Sequence, residues 1–495
     1  MRLSIVLFVI YVLVPLAAHS AGEPLSLTLH EAIRMAVEKN LDVRAELYNP
    51  AQFEADINRN RAIYEPVIDL KTSFTDSTSS SVVQGGMASN SESFVLDTSI
   101  SSLFWTGARA GLYYNNGYIG GGQSNSIPDY WYSELGASIS QPLLKNAGRE
   151  ATELAINVSR LSKFASLERF NSRLLETVAA VRNEYYKLHS LREELQVKKV
   201  SLELARKILS DTQARVRAGV LPAMETLNAE FGSVTREKEL IDAERAVSDQ
   251  LDVLRRLLQI DNRGVELLTI DLPPRELYPV VEKEALRKAY DRPDIREQKR
   301  NIEISELQTR VYSSRTRPDL SLTASAGLSG RDSAYQRNLD KLVTFDYPVW
   351  SVGLNFSYPL GNGAAENDYR RSRLKTEQIA LQIRSLEEGV ANDVKAAIRA
   401  IGTGFKQIDV ADRGRAFAEE RLRAFIRKNE VGLATTRDLL DVENDLAAAK
   451  SNQIKAVVAY ANALTRYWQV TGELLERENI RVVEGDADKL YSAAH

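Results

Sequence analysis

The sequence predicts an α+β chain made mainly of long α-helices, internally duplicated, with two-faced β-strands set between the helices. Three observations carry this. Residues 150–218 contain neither Pro nor Gly and repeat apolar residues every seven positions. Between the helical stretches the apolar period drops to two, the period of a strand. Several segments of the first half also recur in the second half, in the same order.

The N-terminal MRLSIVLFVIYVLVPLAAHSAGEP sets one Arg before an apolar run from Leu3 to Ala18, followed by small residues around Ser20 and Ala21. That order predicts a signal peptide over 1–21; the other reading is an anchor that stays in the membrane. No later apolar run reaches about 18 residues, the length a membrane-spanning helix needs. An exported chain without a transmembrane helix is therefore expected. With no cysteine there is no disulfide, no thiolate metal site and no lipid-anchored Cys. His19 and His495 lie at the two ends, and neither His30 nor His189 has a partner at metal-ligand spacing. A formal charge of −3 gives no argument for nucleic acid. No nucleophile elbow or phosphate loop is present, so neither an enzyme nor a cofactor is expected.

Helical stretches open each half, over about 28–64 and 282–316. In 150–218, Leu167, Leu174, Val181, Leu188, Leu195, Leu202, Leu209 and Val216 stand seven apart, and Phe164, Val178 and Tyr185 add part of a second seam. A heptad seam of this length predicts supercoiling against neighbouring helices. At 1.5 Å per residue the helix is about 100 Å long. It stops at Gly219, with Pro222 just beyond. A returning helix covers 222–260, and the second half repeats the pair over 364–430 and 434–472. One returning helix is too short to cover the long one. An opening and a returning helix stacked end to end match it, which favours a layered wall over an isolated hairpin.

The duplication rests on four matches. Asp42-Val43-Arg44 aligns with Asp294-Ile295-Arg296 at an offset of 252, and Pro66 with Pro318 at the same offset. SISQPLL at 138–144 matches NFSYPLG at 355–361, and GVLPAMETLNAE from Gly219 matches GLATTRDLLDVE from Gly432. The division is then a first repeat over 22–280 with strands within 66–143, a second repeat over 281–472 with strands within 319–360, and a tail over 473–495.

In the strand runs, Ile68, Leu70 and Phe74 alternate with Asp69, Lys71 and Ser73, and Trp350, Val352, Leu354 and Phe356 with Ser351, Gly353 and Asn355. Every charge in these runs (Asp69, Lys71, Asp97, Arg109, Glu134 and Asp319) falls on the polar register. A soluble sandwich would carry more charge there. Small polar residues opposite an apolar stripe suit a transmembrane barrel with a wet lumen. Trp131, Tyr132, Trp350 and Tyr358 read either as interfacial girdle residues or as ordinary strand formers. The Ser/Gly/Asn-rich pieces 76–92 and 115–129 are expected to be loops. Four strand runs in the first half and two in the second leave open an added hairpin turning near Trp105-Thr106-Gly107 or one extended strand pair. Open edges cannot stand in lipid, so the strand count demands an oligomer; three chains give 12 or 18 strands.

At this point the chain resembles the TolC-like outer-membrane efflux protein family. The likeness spans about 25–472 and rests on the repeated element order, RPDI at 292–295, QPLL at 141–144, the tip VGLATTRDLLDVENDL and ANALTRYWQVTG at 461–472. It implies a homotrimer in which a β-barrel in the outer-membrane lipid continues into a periplasmic α-helical barrel. It also implies a periplasmic adaptor protein at the helical tips and an inner-membrane pump behind it. Asp438 and Asp441 match the family's acidic ring at the periplasmic mouth; on sequence alone Asp438 also fits a capping box with Thr435. Gly219, Val220, Leu221, Gly432 and Leu433 are the expected adaptor-contact tips, or simply turn residues. Where the family often has an Arg after the tip Gly, this chain has Ala434, with Arg437 nearby. A passive export duct is the expected function. An uptake porin would lack the long helices, and a coiled-coil scaffold would lack the two-faced strands.

Overall fold

A computed structural model gives the fold and describes residues 25–80, 88–120, 128–260, 267–480 and 485–494. The expected signal peptide lies outside these residues. Strand β1 (Leu25–Leu27) leads into α1 (Leu29–Lys39) and α2 (Leu41–Arg61). The expected helix over 28–64 is thus broken at Asn40, whose side-chain oxygen accepts from the amides of Asp42 and Val43 and caps α2. Strands β2 (Val67–Ser80), β3 (Ala88–Leu103), β4 (Arg109–Gly120) and β5 (Tyr130–Pro142) follow. Short α3 (Arg149–Thr152) precedes the 64-residue α4 (Leu154–Arg217), and α5 (Ala223–Leu258) returns. The second half runs β6 (Leu267–Thr269), α6 (Glu282–Ala289), α7 (Pro293–Arg315), β7 (Asp319–Asp332), α8 (Tyr335–Val343), β8 (Pro348–Ser357), the 68-residue α9 (Gly363–Glu430) and α10 (Thr436–Thr471). Short α11 (Leu474–Arg477) and α12 (Gly485–Ala493) come last. The stretch 282–316 is likewise two helices, divided before Pro293, which sits where α7 starts.

The helices form a layered wall. Leu167, Leu174, Val181, Leu188 and Leu202 of the heptad seam are buried. Antiparallel α5 covers the half of α4 farther from the sheet, through Lys198–Glu239 at 2.8 Å and Gln250–Glu184 at 2.6 Å. Near the sheet α2 takes its place, with Arg173–Asp42 at 3.0 Å and Asn60–Ser159 at 2.8 Å. Likewise α10 covers the far half of α9, through Arg466–Asp393 at 3.3 Å and Arg421–Asp445 at 2.7 Å. Near the sheet α7 bridges both long helices, with Arg169–Glu297 at 2.7 Å and Ser305–Thr376 at 2.8 Å. Four helices therefore stand side by side at either level. Gly389, Gly402 and Gly404 leave α9 unbroken; at Gly404 the helix passes close to Tyr460 of α10.

The six-stranded sheet has the order β2-β3-β4-β5-β7-β8 and is antiparallel throughout, so the β5–β7 pair joins the two halves. Its register puts the apolar stripes on one face. Leu70 stands across from Thr98, that residue from Tyr114, that from Leu135, and that from Leu328. The other face carries Lys71, Asp97, Asn115 and Glu134 in one row. Tyr113, also on that face, lies over Gly136, a residue with no side chain to obstruct it, and donates to Glu134 at 2.7 Å. The strands run further than expected: 76–80 and 88–92 pair with each other, and 115–120 pairs with β3 and β5, where loops were expected. Polar composition does not stop a strand whose backbone groups find a partner, and Thr78 bonds Asn90 across the pair at 2.8 Å. No helix among the described residues is long and apolar enough to cross a membrane.

Candidate functional site at the helical tips

The two hairpins reverse by the same local chemistry. Gly219 and Gly432 sit at φ +74° and +77°, where a side chain meets its own backbone and Gly does not. Val220 N donates to Arg215 O at 2.9 Å, and Leu433 N to Lys428 O at 2.8 Å. Gly219 N reaches Val216 O at 3.0 Å, and Gly432 N reaches Asn429 O at 3.2 Å. These are paired Schellman closures, which satisfy the last carbonyls of α4 and α9. Of the expected tip residues, Val220 and Leu433 are 70% and 78% exposed, while Leu221 is half-buried. Apolar exposure continues up α5 through Met224, Leu227, Phe231, Val234 and Ile241, a stripe the sequence reading did not single out.

Asp438 and Asp441 lie on the exposed side of α10, opposite buried Leu439, Leu440, Val442 and Glu443. Asp438 completes a capping box: its Oδ2 accepts from Thr435 Oγ1 at 2.7 Å and from Thr435 N at 2.9 Å, while its amide donates to Thr435 Oγ1 at 3.1 Å. The Thr435 hydroxyl first, and then its amide, hold the carboxyl below its ordinary pKa. Asp441 makes no hydrogen bond or ion pair with described residues, and Asp445, one turn further, pairs with Arg421. The two expected site residues therefore share a face but not a state: one carboxylate is engaged and the other is free.

Two links tie the hairpins together. At the tip, Arg215 Nη1 donates across to Asn429 O at 2.9 Å, while Asn429 Nδ2 braces its own hairpin by donating to Ala434 O at 3.0 Å. The basic partner at the tip thus comes from the other hairpin, not from Arg437. About 15 Å further from the tip, at 1.5 Å per residue, Arg236 Nη2 meets Glu443 Oε2 at 3.0 Å and Leu440 O at 3.2 Å, and Ser201 Oγ donates to Glu443 Oε1. All three side chains are buried. A Cβ at Gly232 would strike Leu440, so glycine permits this approach of α5 to α10.

The chain therefore combines a sheet with one polar and one apolar face and a long wall of four helices. The chain belongs to the outer membrane efflux protein family, whose model matches residues 32–258 and 288–473. It is 23% identical over 320 residues to the pyoverdine export outer membrane protein OpmQ of Pseudomonas aeruginosa, an alignment covering 62% of this chain and 64% of that one. The chain thus spans just under two thirds of that relative's length. Its fold is similar to the CmeC outer membrane channel of Campylobacter jejuni, with a TM-score of 0.65, 15% identity, and 94% and 89% of the two chains covered. It is similar as well to VceC of Vibrio cholerae, with a TM-score of 0.66, 15% identity and coverage of 90% and 96%. A third likeness is to the open state of MtrE of Neisseria gonorrhoeae, with a TM-score of 0.61, 18% identity and coverage of 90% and 89%.

Proposed function

We propose that this chain is the outer-membrane channel of an efflux or type I secretion system, a homotrimeric passive duct. The observation that carries the reading is that both flanks of the wall are unfinished. Among the described residues, strands β2 and β8 each have one unpaired edge, and their apolar residues Leu70, Phe74, Val352 and Leu354 stand exposed. On the helical flanks α5 leaves Phe231 77% exposed and α9 leaves Phe417 74% exposed. Edges of this kind are closed by copies arranged head to tail around an axis. Three copies make an eighteen-stranded barrel in the outer membrane and a twelve-helix tube in the periplasm. The repeated element order is the trace of an internal duplication, with the repeats over 22–280 and 281–472 and an added hairpin in the first.

In the trimer Asp438 and Asp441 stand around one axis at the narrow mouth. Six carboxylates there favour cations. Val220, Leu433 and the turn glycines form the surface for a periplasmic adaptor protein, itself bound to an inner-membrane pump. The test is electrical. Asp438→Asn with Asp441→Asn should lower the cation selectivity of single channels in planar bilayers and weaken their block by divalent cations. Unaltered selectivity and block would remove the ring. Bulky substitution at Gly219 or Gly432 should abolish export and leave trimers intact.

A further inference from the structure

Helix α8 lies on the apolar face of the sheet, at the end of the strands farthest from the helices. That face is interrupted there by Asn116, Ser133 and Gly330, which stand side by side in the register. α8 seats on these three positions. Asn338 Nδ2 donates to Ser133 Oγ at 2.6 Å, Asn116 Nδ2 donates to Tyr335 Oη at 3.3 Å, and Gly330 leaves the space that Asn338 fills. The Tyr335 ring meets Trp131 edge-on, 4.9 Å between centroids. Asn116, Ser133 and Asn338 are all buried, so the polar gap in the greasy face is sealed by the helix.

Between this helix and the α-helical wall, the apolar face is about one bilayer tall. β8 has ten residues, which at about 3.4 Å each and a tilt of about 45° rise about 24 Å, close to the apolar band of an outer-membrane barrel. The link from α8 to β8 then leaves Val343 75% and Phe345 71% exposed, with Tyr347 beside them. Phe345 has φ +59°, a left-handed backbone that Gly or Asn adopts cheaply and a bulky residue does not. A Phe held there in water exposes apolar surface on top of the backbone strain; in lipid the first of these costs disappears.

We propose that α8 and the 343–347 link form an interfacial segment on the outside of the barrel, seated in the headgroup layer of the outer leaflet, with Val343, Phe345 and Tyr347 dipping among the acyl chains. The partner is the lipid surface itself. Residues 331–347 set Arg331, Arg337 and Lys341 against Asp332, Asp340 and Asp346, and Asp332 bonds both Arg337 and Lys341 at 2.9 Å. The segment has no net charge with which to recruit phosphate, so apolar partition drives the seating. The inference rests on the sheet being the membrane wall, and the experiment separates the two. The chain has no cysteine, so single substitutions Val343→Cys, Phe345→Cys, Leu354→Cys and Val220→Cys accept one environment-sensitive fluorophore each. Labelled trimers are placed in phosphatidylcholine vesicles containing lipids spin-labelled either near the headgroup or in mid-chain. Leu354→Cys should be quenched most by the mid-chain label. Val343→Cys and Phe345→Cys should be quenched several-fold above Val220→Cys, and most by the shallow label. If the two link positions match Val220→Cys while Leu354→Cys is quenched, the interfacial segment is overturned and the barrel stands. If Leu354→Cys is also unquenched, both readings fall.

Discussion

Asp438 and Asp441 stand one helical turn apart on the same face, yet their carboxylates are not equivalent. Thr435 holds Asp438 by its hydroxyl and its amide, and Asp441 is unengaged among the described residues. A carboxylate already committed to two donors offers a passing cation less than a free one. Asp441→Asn alone should therefore shift the reversal potential of single channels under a salt gradient further than Asp438→Asn alone. The cap has its own pH dependence. Its folded pKa lies below the ordinary value of 3.8, so its contribution is present above the unfolded pKa and is lost as pH falls through the folded one. Hydrogen exchange of the Thr435 amide, which donates to the Asp438 carboxylate, should, corrected for intrinsic rate, lose protection only as pH falls below the ordinary Asp value of 3.8 in the native chain. That step should vanish in Asp438→Asn. The cap was legible because Thr-x-x-Asp is a local spelling. The Arg215–Asn429 link was not: its partners stand 214 residues apart, and no local pattern connects them.

Among the elements, the long helices were legible and the strand ends were not. Heptad spacing from Leu167 onward reports the buried seam directly, because a helix must bury the stripe that its sequence repeats. The breaks at Asn40 and Pro293 have local signals as well, a capping Asn and a Pro at a helix start. Strand length is different. Residues 76–80 pair with 88–92 although their Ser, Thr and Asn composition reads as loop, since the ladder is decided by the facing strand. The lock between the hairpins was equally invisible, because Arg236, Glu443 and Ser201 come from three helices. It is a buried ion pair, and removing one partner strands the other in a dry site. Arg236→Met or Glu443→Gln should each cost about 3–5 kcal/mol, read as a fall in the urea midpoint of the detergent-solubilised protein. Arg236→Met with Glu443→Met should recover most of that loss, because an apolar pair leaves no charge uncompensated. A double substitution as damaging as the sum of the singles would show that the pair does not act as a unit.

At the scale of the whole molecule, the widths of the two layers can be compared. Four helices at about 8–10 Å spacing occupy about 32–40 Å of circumference per chain. Six strands about 4.8 Å apart, tilted about 40–45°, occupy about 38–41 Å. Four strands would fill only about 25–27 Å on the same basis, and the wall would have to narrow sharply where sheet meets helices. The six-stranded sheet therefore continues the helical wall without a step, which favours eighteen strands in the trimer over twelve. The apolar face supports the same count, since Phe94, Leu96 and Ile100 on β3 carry the stripe as fully as the strands of the second half. Deletion of 88–120 removes β3 and β4 together and leaves β2 antiparallel to β5, so the shortened chain can still close. Because barrel diameter grows roughly linearly with strand number, electron microscopy of the native trimer should show a membrane barrel about 1.5 times as wide as that of the deletion variant. The helical tube of the two proteins should be equally wide near the tips, where neither strand contributes. Equal barrel widths would place the hairpin outside the wall and leave twelve strands to span the bilayer.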